Sequence, residues 1–174
     1  IGRLMVWLNR TPNHRAIDEL APRPGENILE VGFGPGDGLG EILRCAPGCR
    51  LAGIDKSPQM LAMAGKRNRR ALAEGRLDLR VGSTERLPWP DASFDAVLAV
   101  NVAYFFDEAG LTMRELARVL KPGGRLVVYV TDRETMQRWP FAGPQTHRTF
   151  DRPALETMLA QGAFQPEGIG ISEL

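Results

Sequence analysis

The sequence predicts an α/β fold, with a mostly parallel sheet and helices on both faces. Three observations predict it. Short apolar runs alternate with segments of helical spacing along most of the 174 residues. The first run opens into a turn dense in glycine, the usual exit of a buried parallel strand. That run, 27–33, is compact, carries Val and Ile and is bounded by glycines, as a buried parallel strand should be.

The elements follow in order. Residues 13–21 have helical spacing and end at Pro22, Pro24 and Gly25. Residues 27–33 (NILEVGF) read as a buried strand. Residues 37–46 place Leu39, Ile42 and Leu43 on one helical face, and 50–55 (RLAGID) form a second strand. A single helix is expected over 57–74, with Ser57 as N-cap and Pro58 at its first position. Strands are expected at 76–82 and 93–102, and a helix at 108–120 that stops at Lys121-Pro122-Gly123-Gly124. A fifth strand spans 125–131. The pattern then fades through 132–150, before a last helix at 151–162 capped by Asp151 and a final strand near 165–173. Right-handed crossovers would place the loops after the strands along one edge, as in a Rossmann-like sheet, where ligands bind near the reversal of strand order. Nothing divides the chain, so residues 1–174 read as one domain.

Composition narrows the partners. An apolar fraction of 43% with 25% charged residues is that of a soluble globular domain. Lys plus Arg total 22 against 21 acids, a balance that favours neither nucleic acid nor a membrane surface. The apolar start, IGRLMVWLNRTPNH, is broken by Asn9, Arg10 and Pro12, and no run approaches the roughly 20 residues of a spanning helix. A cytoplasmic location is the expectation. Cys45 and Cys49 have no second Cys or His cluster nearby, and His14 and His147 share no motif, so no metal site is expected. The run Lys66-Arg67-Asn68-Arg69-Arg70 reads as a solvated helix face.

The most informative stretch is Glu30-Val31-Gly32-Phe33-Gly34-Pro35-Gly36-Asp37-Gly38. Glycine there permits positive φ and close approach of a ligand to the backbone, and the following helix offers free N–H groups. The dinucleotide fingerprint fails, because the frames opened at Gly32, Gly34, Gly36 and Gly38 end on Asp37, Leu39, Glu41 and Leu43. The NTPase phosphate loop fails too, since Gly65-Lys66 is followed by Arg67. What fits is acidic-x-Gly-x-Gly-x-Gly, at Glu30, Gly32, Gly34 and Gly36.

With that motif the chain resembles class I S-adenosylmethionine-dependent methyltransferases, and more narrowly the small bacterial type that includes quinone-ring methylases. Three further blocks carry the resemblance: Asp55 with SPQML (57–61), GSTERLPWPDASFDAVLAVNV (82–102) and LARVLKPGGRLVV (116–128). The resemblance implies S-adenosylmethionine as cofactor, methyl transfer to a small-molecule acceptor as the reaction, and a set of contacts. Asp55 would hold the ribose hydroxyls, or serve as a charge at the helix N-terminus before Ser57. The backbone of Lys56 would lie along the adenine, or Lys56 is a solvated lysine, and Met60 would cover the adenine. Met60 fits a core position equally well. Gly32, Gly34 and Gly36 would cradle the ligand. Glu30 would either support the loop or reach the methionine amino group. Ser83 and Thr84 stand where relatives have an Asp-Ala pair beside the adenine amine, a departure that removes a carboxylate contact unless Glu85 compensates. Asn101 ends the fourth strand where cofactor and acceptor would meet, or is a plain strand-end residue.

No Asp/His or Cys/His constellation marks a general base; Tyr104, Asp107 and His147 are the candidates. Acceptor specificity is expected from 1–15, 101–106 and 132–150. There Trp7, Tyr104, Phe105, Phe106, Trp139 and Phe141 would line an apolar pocket or belong to the core. About ten residues follow Phe164, so the family's last strand is expected to be truncated or absent. The open edge would then be covered by another copy or by further residues. The competing expectation is a non-catalytic cofactor-binding or scaffold protein of the same fold.

Overall fold

A computed structural model describes residues 12–138, 148–162 and 164. After α1 (12–20) come β1 (Asn27–Val31), α2 (Asp37–Cys45), β2 (Arg50–Asp55), α3 (Pro58–Arg67), α4 (Arg69–Ala73) and β3 (Leu77–Val81). β4 (Phe94–Val100), a 3₁₀ turn (Ala103–Phe105), α5 (Leu111–Val119), β5 (Leu120–Tyr129), α6 (Arg133–Gln137) and α7 (Arg152–Ala160) follow. The sheet has the order β3-β2-β1-β4-β5 with every pairing parallel. It is the α/β, Rossmann-like sheet that the sequence predicts. The chain winds outward from β1 through β2 to β3, then returns to the far side of β1 as β4. The reversal therefore opens a crevice at the carboxyl ends of β1 and β4.

The strands alternate their side chains between two cores. Leu29, Val31, Val97 and Ala99 pack with Met113, Leu116 and Val119 of α5 and Met158 of α7. Ile28, Ala96 and Leu98 pack on the other face with Ile17 and Leu20 of α1 and Leu39 and Ile42 of α2. This period-two alternation puts Glu30 on the α2 face beside Ile28.

Most boundaries lie where the spacing puts them, and the differences have local causes. The helix expected over 57–74 starts as predicted, the Ser57 hydroxyl accepting the Met60 N–H at 3.3 Å, but it breaks at Asn68. The buried Asn68 amide donates to the Gly36 carbonyl at 2.9 Å and the Ala64 carbonyl at 3.1 Å, bonding the helix to the glycine loop. α5 begins later than predicted because the two Asp107 carboxylate oxygens take the N–H groups of Leu111 and Thr112, each at 2.7 Å. β5 pairs from Leu120, with a register shift between Phe94 and Ala96 that absorbs the Pro-Gly-Gly segment. The stretch 132–150, expected to be irregular, contains α6, capped by Asp132, and a parallel bridge from Asp132 to Phe150. Asp151 caps α7 as predicted. The final strand expected near 165–173 lies outside the described residues, so whether the last strand is truncated does too. Within the described sheet β3 and β5 are the outer strands.

Among the described residues no helix is long and apolar enough to cross a membrane, and no group of three or more His, Cys, Asp and Glu is placed to hold a metal ion. Cys45 is exposed and Cys49 buried, both as free thiols.

Candidate active site

The site is built from the backbone of one turn. Gly32, Gly34 and Gly36 all have positive φ, at +69°, +52° and +86°, where side-chain-bearing residues are strained. Each has a different surrounding. A Cβ at Gly32 would overlap the side chain of Val102, which follows β4. At Gly36 it would lie 2.7 Å from the Ala64 Cβ of α3. At Gly34 it would meet nothing within 4 Å. The turn is thus clamped at both ends and open at its centre.

Asp55 closes the turn from β2. Its Oδ2 accepts the Gly34 N–H and its Oδ1 the Ser57 N–H, both at 2.9 Å. The Gly32 N–H donates to the Ile54 carbonyl at 2.7 Å. Chain-distant Gly34 and Asp55 therefore form one unit, and each carboxylate oxygen keeps a second lone pair.

Glu30 lies beneath this unit and is 4% exposed. Its Oε1 sits where a Cβ on Gly38 would come within 2.5 Å, so only glycine leaves room for it at the head of α2. Its Oε2 is buried with no hydrogen-bond partner among the described residues. Burial, then the nearby carboxylates of Asp37, Asp55 and Glu41, push the Glu30 carboxyl up to about 8.

The second wall comes from β4 and β5. Asn101 follows β4 directly at φ +52°, a left-handed position that Asn tolerates. The Tyr104 hydroxyl donates to Asn101 Oδ1 at 2.8 Å and accepts the Thr131 N–H at 2.5 Å. Burial is the main cause that raises the Tyr104 phenol above its ordinary value, so it holds its proton at neutral pH. Lys56 Nζ lies 4.5 Å from the centre of the Phe105 ring, joining the ends of β2 and β4.

Of the residues singled out from the sequence, Gly32, Gly34, Gly36, Asp55 and Glu30 converge on the turn, and Lys56 and Asn101 flank it. Met60 packs partly buried against the α2-side core. Ser83 Oγ accepts the Glu85 N–H, and the Thr84 hydroxyl lies 3.1 Å from that of Thr112 on α5. Among the described residues neither hydroxyl bonds to the glycine loop. Tyr104 and Phe106 are core residues and Phe105 is exposed. Asp107 is occupied as a helix cap. Trp7, Trp139, Phe141 and His147 lie outside the described residues.

Sequence reasoning missed Val102, Asn68 and Arg67. Arg67 pairs with Asp37 and donates to the Pro35 carbonyl at 3.1 Å. Ala64 and Asn68, four residues apart on one helix face, were the available signal for a helix that meets a glycine turn.

Residues 29–128 match the family described as methyltransferase domain. The chain belongs to this methyltransferase family. It is 33% identical over 161 residues to an uncharacterized methyltransferase of Bacillus subtilis, YdaC, covering 92% of this chain and 84% of that one. It is 39% identical over 116 residues to a demethylmenaquinone methyltransferase of Thermus thermophilus, covering 66% of this chain and 51% of that one. The chain thus spans about half of the quinone methyltransferase. Among solved structures, the [4+2]-cyclase SpnF is similar with TM-score 0.73 and 28% identity, over 87% of this chain and 56% of that one. A geranyl diphosphate C-methyltransferase of Streptomyces coelicolor, solved with S-adenosyl-L-homocysteine, has TM-score 0.73 at 17% identity, covering 88% and 59%. That last likeness is one of fold.

Proposed function

We propose that the chain binds S-adenosylmethionine on the glycine turn and transfers its methyl group to a small-molecule acceptor. The observation that carries this reading is the Gly34–Asp55 hydrogen bond beside the open space over Gly34. The residues present fit such a cofactor. Asp55 has lone pairs left for two ribose hydroxyls. Glu30 Oε2 is a buried acceptor without a partner among the described residues, suited to a cationic group, and the turn has room at its centre. Lys56, Met60 and Asn101 would flank the ligand. The Ser83 hydroxyl is engaged by the Glu85 N–H and the Thr84 hydroxyl by Thr112 of α5, so both residues would contribute backbone groups at most.

When bound, S-adenosylmethionine supplies an electrophilic methyl on a sulfonium, and a neutral thioether leaves. The chain's own task is alignment, which contributes roughly 7–11 kcal/mol in well-oriented pairs. Val102 against Gly32 and the Asn101–Tyr104–Thr131 bonds hold the β4 wall beside the turn for this purpose. With Tyr104 buried and Asp107 capping α5, the described residues favour an acceptor that needs no strong base. The same two observations support a second reading, cofactor binding without transfer. The similarity to a cyclase supports a third, this fold serving a different reaction.

Calorimetry with S-adenosylmethionine and its demethylated product tests the binding. Charge-assisted hydrogen bonds contribute about 1.5–3 kcal/mol, so Asp55→Ala is expected to weaken affinity about tenfold to a hundredfold. The variant should keep a cooperative melt. Unchanged affinity removes Asp55 from the site, and no binding by folded wild type ends the proposal. Labelled methyl transfer across small aromatic and lipid-like acceptors then separates an enzyme from a silent binder.

A further inference from the structure

Beside the glycine loop, between α2 and the break separating α3 from α4, lies an open basin of about 440 Å³. Five arginines line it, Arg44, Arg67, Arg69, Arg70 and Arg76, with Asn68 among them. Two carboxylates answer them. Asp37 pairs with Arg67, and Glu74 is shared by Arg70 and Arg76. Arg44 and Arg69 are exposed and have no carboxylate partner among the described residues. In a chain whose net charge is +1, this is a local excess gathered around a concavity rather than a face solvated evenly. Guanidinium forks match phosphoryl oxygens in pairs.

The basin also touches the loop from behind. Arg67 donates to the Pro35 carbonyl and Asn68 to the Gly36 carbonyl. An anion that draws on Arg67 competes with Asp37 and Pro35 for the same guanidinium.

We propose that this basin binds a small phosphorylated anion, and that its occupancy is felt at the glycine loop through Arg67 and Asn68. The binding is independent of the methyl-transfer reading, which enters only in giving the loop a ligand. Pyrophosphate is the probe, titrated by calorimetry at constant ionic strength without any cofactor. Wild type is expected to bind one equivalent. Arg44→Gln combined with Arg69→Gln should bind at least about tenfold more weakly and melt at the same temperature. The corresponding double lysine variant keeps the charges but loses the forks, and should fall between the two. Amide exchange over residues 33–40 should slow with pyrophosphate in wild type and not in the glutamine variant.

Absent saturation, or equal binding by wild type and the glutamine variant, overturns the site. Binding with unchanged exchange over 33–40 overturns the coupling. A single-stranded RNA that binds a hundredfold tighter than pyrophosphate, with protection extending beyond the basin, overturns the small-anion assignment in favour of a nucleic-acid surface. Because no cofactor is present, failure here leaves the proposed function untouched, and a cofactor that fails to bind leaves this site untouched.

Discussion

The two edges of the sheet carry acids in opposite states. At the amino edge, Glu26 accepts from Arg125 at 2.8 and 3.0 Å, and Asp95 accepts from Lys121 at 2.7 Å and the Asn27 N–H at 2.9 Å. For Glu26, burial pushes the carboxyl up, but the Arg125 and Arg23 contacts outweigh it and hold it low. The Lys121 bond is the main cause that holds Asp95 low. At the carboxyl edge, Asp55 is held by backbone N–H groups, and Glu30 is buried beside other acids with one oxygen unpartnered among the described residues and its carboxyl raised to about 8. The supporting acids Glu26 and Asp95 have cations. Asp55 and Glu30, at the crevice end, have no ion pair among the described residues, and under the proposed function a cationic ligand supplies that charge.

The largest expected effect breaks the carboxyl edge at its backbone. Gly32→Ala forces a side chain into positive φ, costing about 1–2 kcal/mol, and against Val102, whose Cβ would lie 2.7 Å away. Overpacking of that kind costs about 1–3 kcal/mol more. Adding Val102→Ala should recover the packing part and leave the strain. Denaturant titration measures both, and a Gly32→Ala protein as stable as wild type would show that the β4 wall does not clamp the turn. Gly34→Ala, with open space around it, should show the strain alone.

Next comes pH. Glu30 has its folded value raised above its unfolded one, so protonation favours the native state. The stability it contributes is complete below the unfolded carboxyl range and is lost as pH rises towards about 8. Each unit of such a shift is worth about 1.4 kcal/mol, so the loss should reach a few kcal/mol. Glu26 and Asp95 act oppositely. Their folded values are lowered, so their contribution is present above the unfolded range and is lost as pH falls through the folded values. Glu30→Gln should flatten the decline between weakly acidic pH and pH 8 while leaving the acid limb in place. A decline that survives the substitution assigns it to another group.

This contrast also explains which parts were legible. The turn, Asp55 and the strand order rest on backbone rules, in which glycine spacing, an acid at a strand tip and alternating periods are written locally. The β4 wall is written in pairs. Tyr104 meets Asn101 and Thr131, and Val102 meets Gly32 across 70 positions of sequence, and no local pattern announces either. Asn68 was legible as part of a basic run but not as a buried amide, because its partners Gly36 and Ala64 come from the fold. Ser83 and Thr84 lie in the expected segment, yet their hydroxyls find partners that only the turn at Glu85 and the placement of α5 define.

The smallest expected effect sharpens the comparison from the amino edge. Lys121 and Asp95 are both partly exposed, so solvent screens the pair and Lys121→Met should cost about 0.5–1 kcal/mol. It should also bring the Asp95 carboxyl back towards its ordinary value, since Lys121 is the main cause of its depression. The affinity for S-adenosylmethionine should not change, because Asp95 is the second residue of β4, at the end remote from the turn, and its other partner is the first residue of β1. Denaturation and calorimetry on the same sample check both halves. If Lys121→Met weakened the cofactor as Asp55→Ala is expected to, the division between supporting acids and crevice acids would fail, since the charge balance of one edge would then be governing the other through the whole length of β4.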